Sequence, residues 1–274
     1  MLNAPPPLTL GWLTLPASGP LELIPAAAAA GFASVGLRVA PRPGDIKPGI
    51  AGDEALTREV EASLKHHGVG VFEMGSIWLD GERPIEWCYP ALETGARLGA
   101  RYVIALMAPG IAPVRMLSDF SKLCRQAGTL GLKVSIEFVR YLAVPTLQAA
   151  DLLVTLSDQP NAGILVDALH LSRSGGSASE LATIAPSRIH FAQLCDAAPA
   201  APAPDALAYE ARNNRLDTGE GGLPLADFMR ALPPGTPLEV EVPHLAHKTL
   251  DPQARAQRAA ETTRAFLRSL DRAF

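Results

Sequence analysis

Four short apolar runs in this sequence each stop on a side chain that can offer an oxygen. Gly163-Ile-Leu-Val-Asp167 runs into a carboxylate with His170 three positions on, Lys133-Val-Ser-Ile-Glu137 and Pro237-Leu-Glu-Val-Glu241 end in Glu, and Arg188-Ile-His-Phe-Ala-Gln193 ends in an amide. Ile164, Leu165 and Val166 suit a strand covered on both faces, whereas Asp167 is costly inside such a strand unless its charge is paired. The charges therefore belong at strand ends. If the four runs are strands of one closed parallel barrel, Glu137, Asp167, Gln193 and Glu241 converge above its carboxyl-terminal rim. Three acids and an amide in one pocket repel each other without a cation, so the pattern points to a divalent metal.

The rest of the chain supplies the other strands and the helices between them. Residues 7 to 15 alternate as a first strand, Pro20 to Gly31 is an Ala-rich helix closed by Gly, and Ala33 to Val39 is a second strand carrying Arg38. Pro41 to Gly52 reads as a loop, Asp53 to His67 as a helix with an Asp cap, and Val69 to Glu73 as a third strand ending in an acid. Pro84 to Gly99 and Val114 to Gly131 are helices flanking the strand Tyr102 to Met107. A helix begins near Pro145, and a last one covers Pro252 to about Leu270. Eight strand-helix alternations predict an α/β fold, a (β/α)8 TIM barrel forming a single domain over 1–274. No G-x-G-x-x-G follows a strand, so a dinucleotide site lacks its fingerprint. The low-complexity stretch Ala197 to Pro204 is too rich in Pro for a helix and reads as an extended surface loop on the active rim.

Charge and cysteine usage narrow the function. A net charge of -4 gives no footprint for nucleic acid or an anionic membrane, so a small, soluble substrate is the expected partner, and a homo-oligomer is compatible with it. Cys88, Cys124 and Cys195 are odd in number and far apart, as reduced thiols would be. No Lys or Arg precedes residue 21 and no apolar run approaches a membrane span, which leaves a cytoplasmic location as the expectation.

At these residues the sequence resembles the sugar phosphate isomerase/epimerase group with the xylose isomerase-like TIM barrel, including its hydroxypyruvate isomerase-like and tagatose 3-epimerase-like members. Ser135-Ile-Glu137-Phe resembles the ligand-bearing end of strand five, Val166-Asp167-Ala-Leu-His170 the Asp-x-x-His of strand six, and Ile189-His-Phe-Ala-Gln193-Leu-Cys-Asp196 the segment of strand seven. Arg215-Leu-Asp-Thr-Gly219-Glu-Gly221 is similar to an Arg-x-x-Pro-Gly-Glu-Gly turn, with Thr218 in place of Pro, and Leu238-Glu-Val-Glu241-Val-Pro243 to the closing strand. The motifs cover roughly residues 130 to 245. The group also contains inosose dehydratases and endonuclease IV; the latter needs several His ligands from the first strands, and none occurs between Met1 and Lys65.

The resemblance implies a hard cation, Mn2+ or Mg2+ with Zn2+ or Co2+ as alternatives, held by Glu137, Asp167, Gln193 and Glu241 and leaving two positions for substrate oxygens. It implies a metal-held enediolate formed by proton transfer, with Glu137 and Glu241 as the bases on opposite faces of one carbon. His170 would bind or polarise a substrate hydroxyl or carbonyl, Arg215 would hold a phosphate, carboxylate or sugar oxygen, and Glu73 and Trp78 would line the sugar pocket. Blander readings stand beside these: Arg215 on the surface, Glu73 and Trp78 merely covering the mouth, His170 capping a loop. His190 falls out of phase with Gln193 and reads as a buried structural histidine. Glu239 shares parity with Glu241 and would lie a layer deeper, needing a cation such as Arg38. The expected activity is that of a sugar isomerase or epimerase, the alternatives being a dehydratase on the same barrel and a sugar-binding protein with a degenerate site.

Overall fold

The computed structural model describes residues 7–40 and 49–271, so most of the loop expected from Pro41 to Gly52 lies outside the described residues. Eight parallel strands close on themselves in sequence order: β1 (Leu8–Leu10), β2 (Ser34–Leu37), β3 (Gly70–Leu79), β4 (Tyr102–Met107), β5 (Lys133–Glu137), β6 (Ala162–Asp167), β7 (Ile189–Leu194) and β8 (Leu238–Val240). Closure is made by β1 against β8, with Thr9 opposite Glu239 and Leu10 opposite Val240. This is the TIM barrel that the eight alternations predict.

The helices lie between the strands: α1 (Pro20–Ala29), α2 (Glu54–His67), α3 (Tyr89–Arg97), α4 (Pro113–Thr129) and α5 (Leu147–Ser157). After β6 come α6 (Ala168–Arg173) and α7 (Ala178–Leu181), after β7 α8 (Leu207–Asn213) and α9 (Leu225–Ala231), and after β8 α10 (Pro252–Asp271). Side-chain caps start several of them: Asp53 accepts from Leu56 N, Thr146 from Ala149 N, and Ser177 forms a reciprocal box with Glu180. The packed faces follow helical spacing, as with Phe120, Leu123, Cys124 and Ala127 on α4. Arg264 of α10 donates to the carbonyls of Ala30 (2.9 Å) and Gly31 (2.7 Å) just past α1, which joins the last helix to the first.

Two strand boundaries differ from expectation. β1 ends at Leu10 and gives way to a 3-10 turn at Trp12–Thr14. β3 does not stop at Glu73 but continues to Leu79 through an irregularity between Met74 and Ile77, where Gly75 and Ser76 interrupt the apolar run. Such a bulge inserts a residue and changes which side chains face inward, so Glu73 lies within the strand and Ser76 and Trp78 take the cavity side. The stretch 197–204 is irregular, as expected, and precedes α8.

The barrel interior is layered. Toward the amino-terminal end Phe72, Ile104, Leu165 and Phe191 form a separate apolar cluster, with the Phe72 and Phe191 rings edge to face at 5.0 Å. His190 packs beside this layer, sharing a 2.9 Å hydrogen bond with Ser135, and burial pushes its pKa down to about 4. It is the buried histidine expected, but a register shift between β6 and β7 turns it over Gly163, so the parity of a regular strand does not describe it.

A candidate active site at the carboxyl-terminal mouth

β5 presents Glu137 at its last position, and β6 ends on Asp167, which is wholly buried. Asp167 is also the cap of α6: its Oδ1 accepts from the backbone N–H of His170 at 2.9 Å. One residue thus ends a strand and begins a helix, which fixes His170 next to the strand end, its Nε2 3.5 Å from Glu137 Oε1. Gln193 arrives on β7, in register with Asp167 on one side and Glu239 on the other. Glu241 follows β8 by one residue, and Thr14 holds the backbone on both sides of it, donating to Val240 O (3.1 Å) and accepting from Val242 N (2.9 Å).

Arg215 is not the surface residue of its blander reading. Only 1% exposed, it donates from Nε to Ala211 O (2.8 Å) and from one terminal nitrogen to Asp167 Oδ2 (2.6 Å), while the other lies 3.3 Å from Glu241 Oε2. Burial alone would push the Asp167 carboxyl up, but Arg215 and the His170 contacts outweigh it and hold it below the usual carboxylate range. Burial pushes the His170 pKa down to about 4 against the pull of Asp167, so this imidazole is neutral at pH 7. Contrary to expectation, a metal is not the sole counter-charge available to these acids, because the chain itself places the Arg215 guanidinium between Asp167 and Glu241.

These groups surround a cavity of about 280 Å³, with Glu137, His170, Gln193, Arg215 and Glu241 in its walls. Trp78 lines it as expected, together with Trp12, Arg38, Ser76, Tyr141 and Arg212, which sequence reasoning did not assign. Their signal was position: Trp12 follows the end of β1 by two residues and Tyr141 follows Glu137 by four. Arg38 stacks over Trp12, 5.0 Å from the ring centroid. The expectation that Glu73 reaches this pocket is not met. It is fully buried on β3 and absent from the cavity walls, because the strand runs six residues further than its apolar signal. His244 and His247 lie on the turn after β8 and do not line the cavity. Cys195 is buried against Arg215, its thiol pushed up to about 12 by burial, as expected of an inert packed cysteine.

Glu137, Asp167 and His170 each offer a ligand atom, all within 4.8 Å of one another. Gln193 Oε1 is buried with no hydrogen-bond partner among the described residues, as an oxygen reserved for a cation would be. The donor set therefore fits a hard divalent ion, with Arg215 fixing the outer oxygen of Asp167.

The turn after α8 accounts for Thr218. Asp196 accepts from the backbone of Ala197, Gly219 and Leu223 and so pins the turn to the end of β7, while Thr218 takes a 2.9 Å hydrogen bond from Thr263 of α10 that a proline could not accept.

A family described as "Xylose isomerase-like TIM barrel" matches residues 24–270. The 3-dehydroshikimate dehydratase of Pseudomonas aeruginosa is 30% identical over 118 residues, 43% of this chain but 18% of that protein's length. Among solved structures, the IolI protein with a bound zinc atom superposes with a TM-score of 0.80 at 17% identity, covering 96% of this chain and 99% of its own. D-allulose 3-epimerase from Methylomonas sp., in complex with D-allulose, gives 0.70 at 17% identity over 94% and 96%. The probable 3-DHS dehydratase AsbF from Bacillus anthracis gives 0.72 at 14% identity over 95% and 98%. At such identities these likenesses show the fold. With the family match running from within α1 to the end of α10 over a closed eight-stranded barrel, the chain belongs to the xylose isomerase-like TIM barrel family.

Proposed function

We propose that this protein is a divalent-metal-dependent isomerase or epimerase of a small polyhydroxy carbonyl compound: a sugar, a sugar phosphate or a hydroxy-keto acid. The observation that carries the reading is that Glu137 and Glu241, from strands on different sides of the barrel, line one cavity beside a neutral imidazole. One carboxylate takes the proton from the carbon next to the carbonyl, and the other returns a proton to the opposite face or to the adjacent carbon. His170, uncharged at neutral pH, hydrogen-bonds the substrate oxygen without adding a second positive charge beside Arg215. Arg215 keeps Asp167 and Glu241 in place, a positioning task, and offers the cavity a guanidinium edge. Trp12 and Trp78 give a sugar's C–H faces an apolar wall, and Arg38 and Arg212 suit a substrate with an anionic group.

Glu137, Asp167, Gln193 and Glu241 are read as the holders of Mn2+ or Mg2+, with Zn2+ also compatible: Glu137 and Asp167 belong to the close donor group whose third member is His170, and the buried, unpartnered Gln193 Oε1 supports the amide. When bound, that cation supplies Lewis acidity at the substrate carbonyl.

The curated relative favours a second reading. Removal of the same proton followed by departure of a β-hydroxyl as water would make the protein a dehydratase of the kind that the Pseudomonas aeruginosa protein is named for. One experiment separates the two: the Mn2+-loaded protein is incubated in D2O with a panel of ketoses, their phosphates and hydroxy-keto acids, and products are read by mass. An isomerase returns deuterium in a product of unchanged formula, a dehydratase releases one water, and a protein giving neither with any compound, or binding no divalent cation, is a degenerate binder. Glu137→Gln is expected to lower turnover by roughly 10^3-fold with the fold intact, and unchanged turnover in that variant overturns the base assignment.

A further inference from the structure

Besides Arg215, the cavity wall holds Arg38, stacked over Trp12, and Arg212, whose side chain is exposed on α8. Among the described residues the Arg212 guanidinium makes no hydrogen bond or ion pair, although Glu137 and Glu241 line the same cavity. Water alone satisfies most exposed arginines. The turn that carries this one, however, is not built like a free surface turn. Glu210, two residues before it, is buried and receives Arg173 of α6 on both oxygens, at 2.9 and 2.7 Å, and Arg173 also donates to the carbonyl of Ala198 at 2.7 Å. Ala211 gives its carbonyl to Arg215 Nε at 2.8 Å, and the backbone N–H of Arg215 donates to Pro243 O at 3.2 Å. Within one helical turn of Arg212, α8 is thus tied to α6, to the stretch 197–204 and to the segment after β8. A buried ion pair contributes little net stability once its desolvation is counted, so what Arg173 and Glu210 supply is a fixed orientation of this turn.

We propose that Arg212 is a specificity residue that binds an anionic end group of the substrate, a carboxylate or a phosphate, while the reacting carbonyl lies beside Glu137 and Glu241. Arg38, on its Trp12 stack, is the second cation of that wall. A guanidinium fork matches both anions, and one presented from a fixed turn loses less freedom when it binds. The inference rests on the isomerase or epimerase reading above and narrows its substrate class from small polyhydroxy carbonyl compounds at large to those that end in an anion.

The test is calorimetry on the Mn2+-loaded full-length protein with one ketose frame carrying three end groups, D-fructose, D-fructose 6-phosphate and D-fructuronate, and with the shorter D-ribulose and D-ribulose 5-phosphate. The wild type is expected to bind an anionic member roughly 10-fold more tightly than its neutral counterpart, the size of one charge-assisted contact. A preference confined to the phosphates identifies a phosphorylated sugar and one confined to the uronate a hydroxy-keto acid; either supports the subsite. Arg212→Met is expected to remove the preference, Arg212→Lys to keep part of it and Arg212→Glu to reverse it. Arg58→Met, which alters an exposed arginine of α2 outside the cavity wall, is expected to keep it in full. An anion that coordinates the metal directly gives the same preference in Arg212→Met. That result, or equal binding of neutral and anionic ketoses by the wild type, overturns the subsite and leaves the metal-dependent reading standing. A wild-type protein that binds neither Mn2+ nor any of the five compounds overturns both.

Discussion

The two ends of the barrel interior are built from the same strands and solve opposite problems. β7 contributes Phe191 to the amino-terminal layer and Gln193 to the mouth, and β6 contributes Leu165 and then Asp167, so two residues of rise separate an apolar contact from a polar one. The lower layer is apolar cluster and ring contact. The mouth gathers acids out of water: Asp167 and Glu241 stand against Arg215, while burial and the neighbouring Glu73 raise the pKa of Glu239. The guanidinium beside Asp167 holds its carboxyl below the usual range, whereas burial and the neighbouring Glu73 push that of Glu239 above it.

That contrast can be broken most directly at Arg215. Arg215→Met leaves Asp167 charged and 0% exposed without its partner, and is expected to cost about 4 kcal/mol of stability in urea unfolding at pH 7. A variant as stable as the wild type would mean that the mouth does not depend on this cation. Phe191→Ala is expected to cost about 3 kcal/mol, the usual range for emptying a buried aromatic site, while leaving Mn2+ affinity as it was; a coupled loss of metal binding would show that the layers are not separable. The smallest effect is in pH. His190 has a folded pKa of about 4, below the value near 6.5 of an unfolded chain, so its contribution is complete above pH 6.5 and is lost as the pH falls from there to 4. The expected loss is on the order of 2 kcal/mol, removed in His190→Gln and read from urea midpoints at pH 7, 5 and 4. Glu239 has the opposite sign: its raised pKa makes the fold less stable as the pH rises above the ordinary carboxylate range.

How much of this was legible in the sequence follows from what local pattern can encode. β5, β6 and β7 were readable because a strand buried on both faces is an uninterrupted apolar run, and the polar residue that stops it marks the end facing the mouth. β3 was misjudged because Gly75-Ser76 looks like an end and is a bulge, which moved Glu73 from the pocket to the layer beneath. The depth of Glu239 followed from its parity with Glu241, but its neighbour Glu73 came from a strand more than 160 residues away and has no local signature. Arg215 was singled out for the turn after it, yet its partner Asp167 lies 48 residues earlier, a pairing that only the closed barrel reveals.

Asp167 divides its two oxygens between unrelated duties, one starting a helix and the other gripping a guanidinium. The corner where β6 becomes α6 is therefore geared to the pocket: a pull on that side chain from inside the mouth is transmitted to the first turn of α6 and so to the imidazole it carries. Anyone reshaping this pocket for a new substrate would do better to vary the wall at Trp78, Tyr141 and Arg212 and leave that gear intact, since a longer or shorter acid there would have to abandon one of its two engagements.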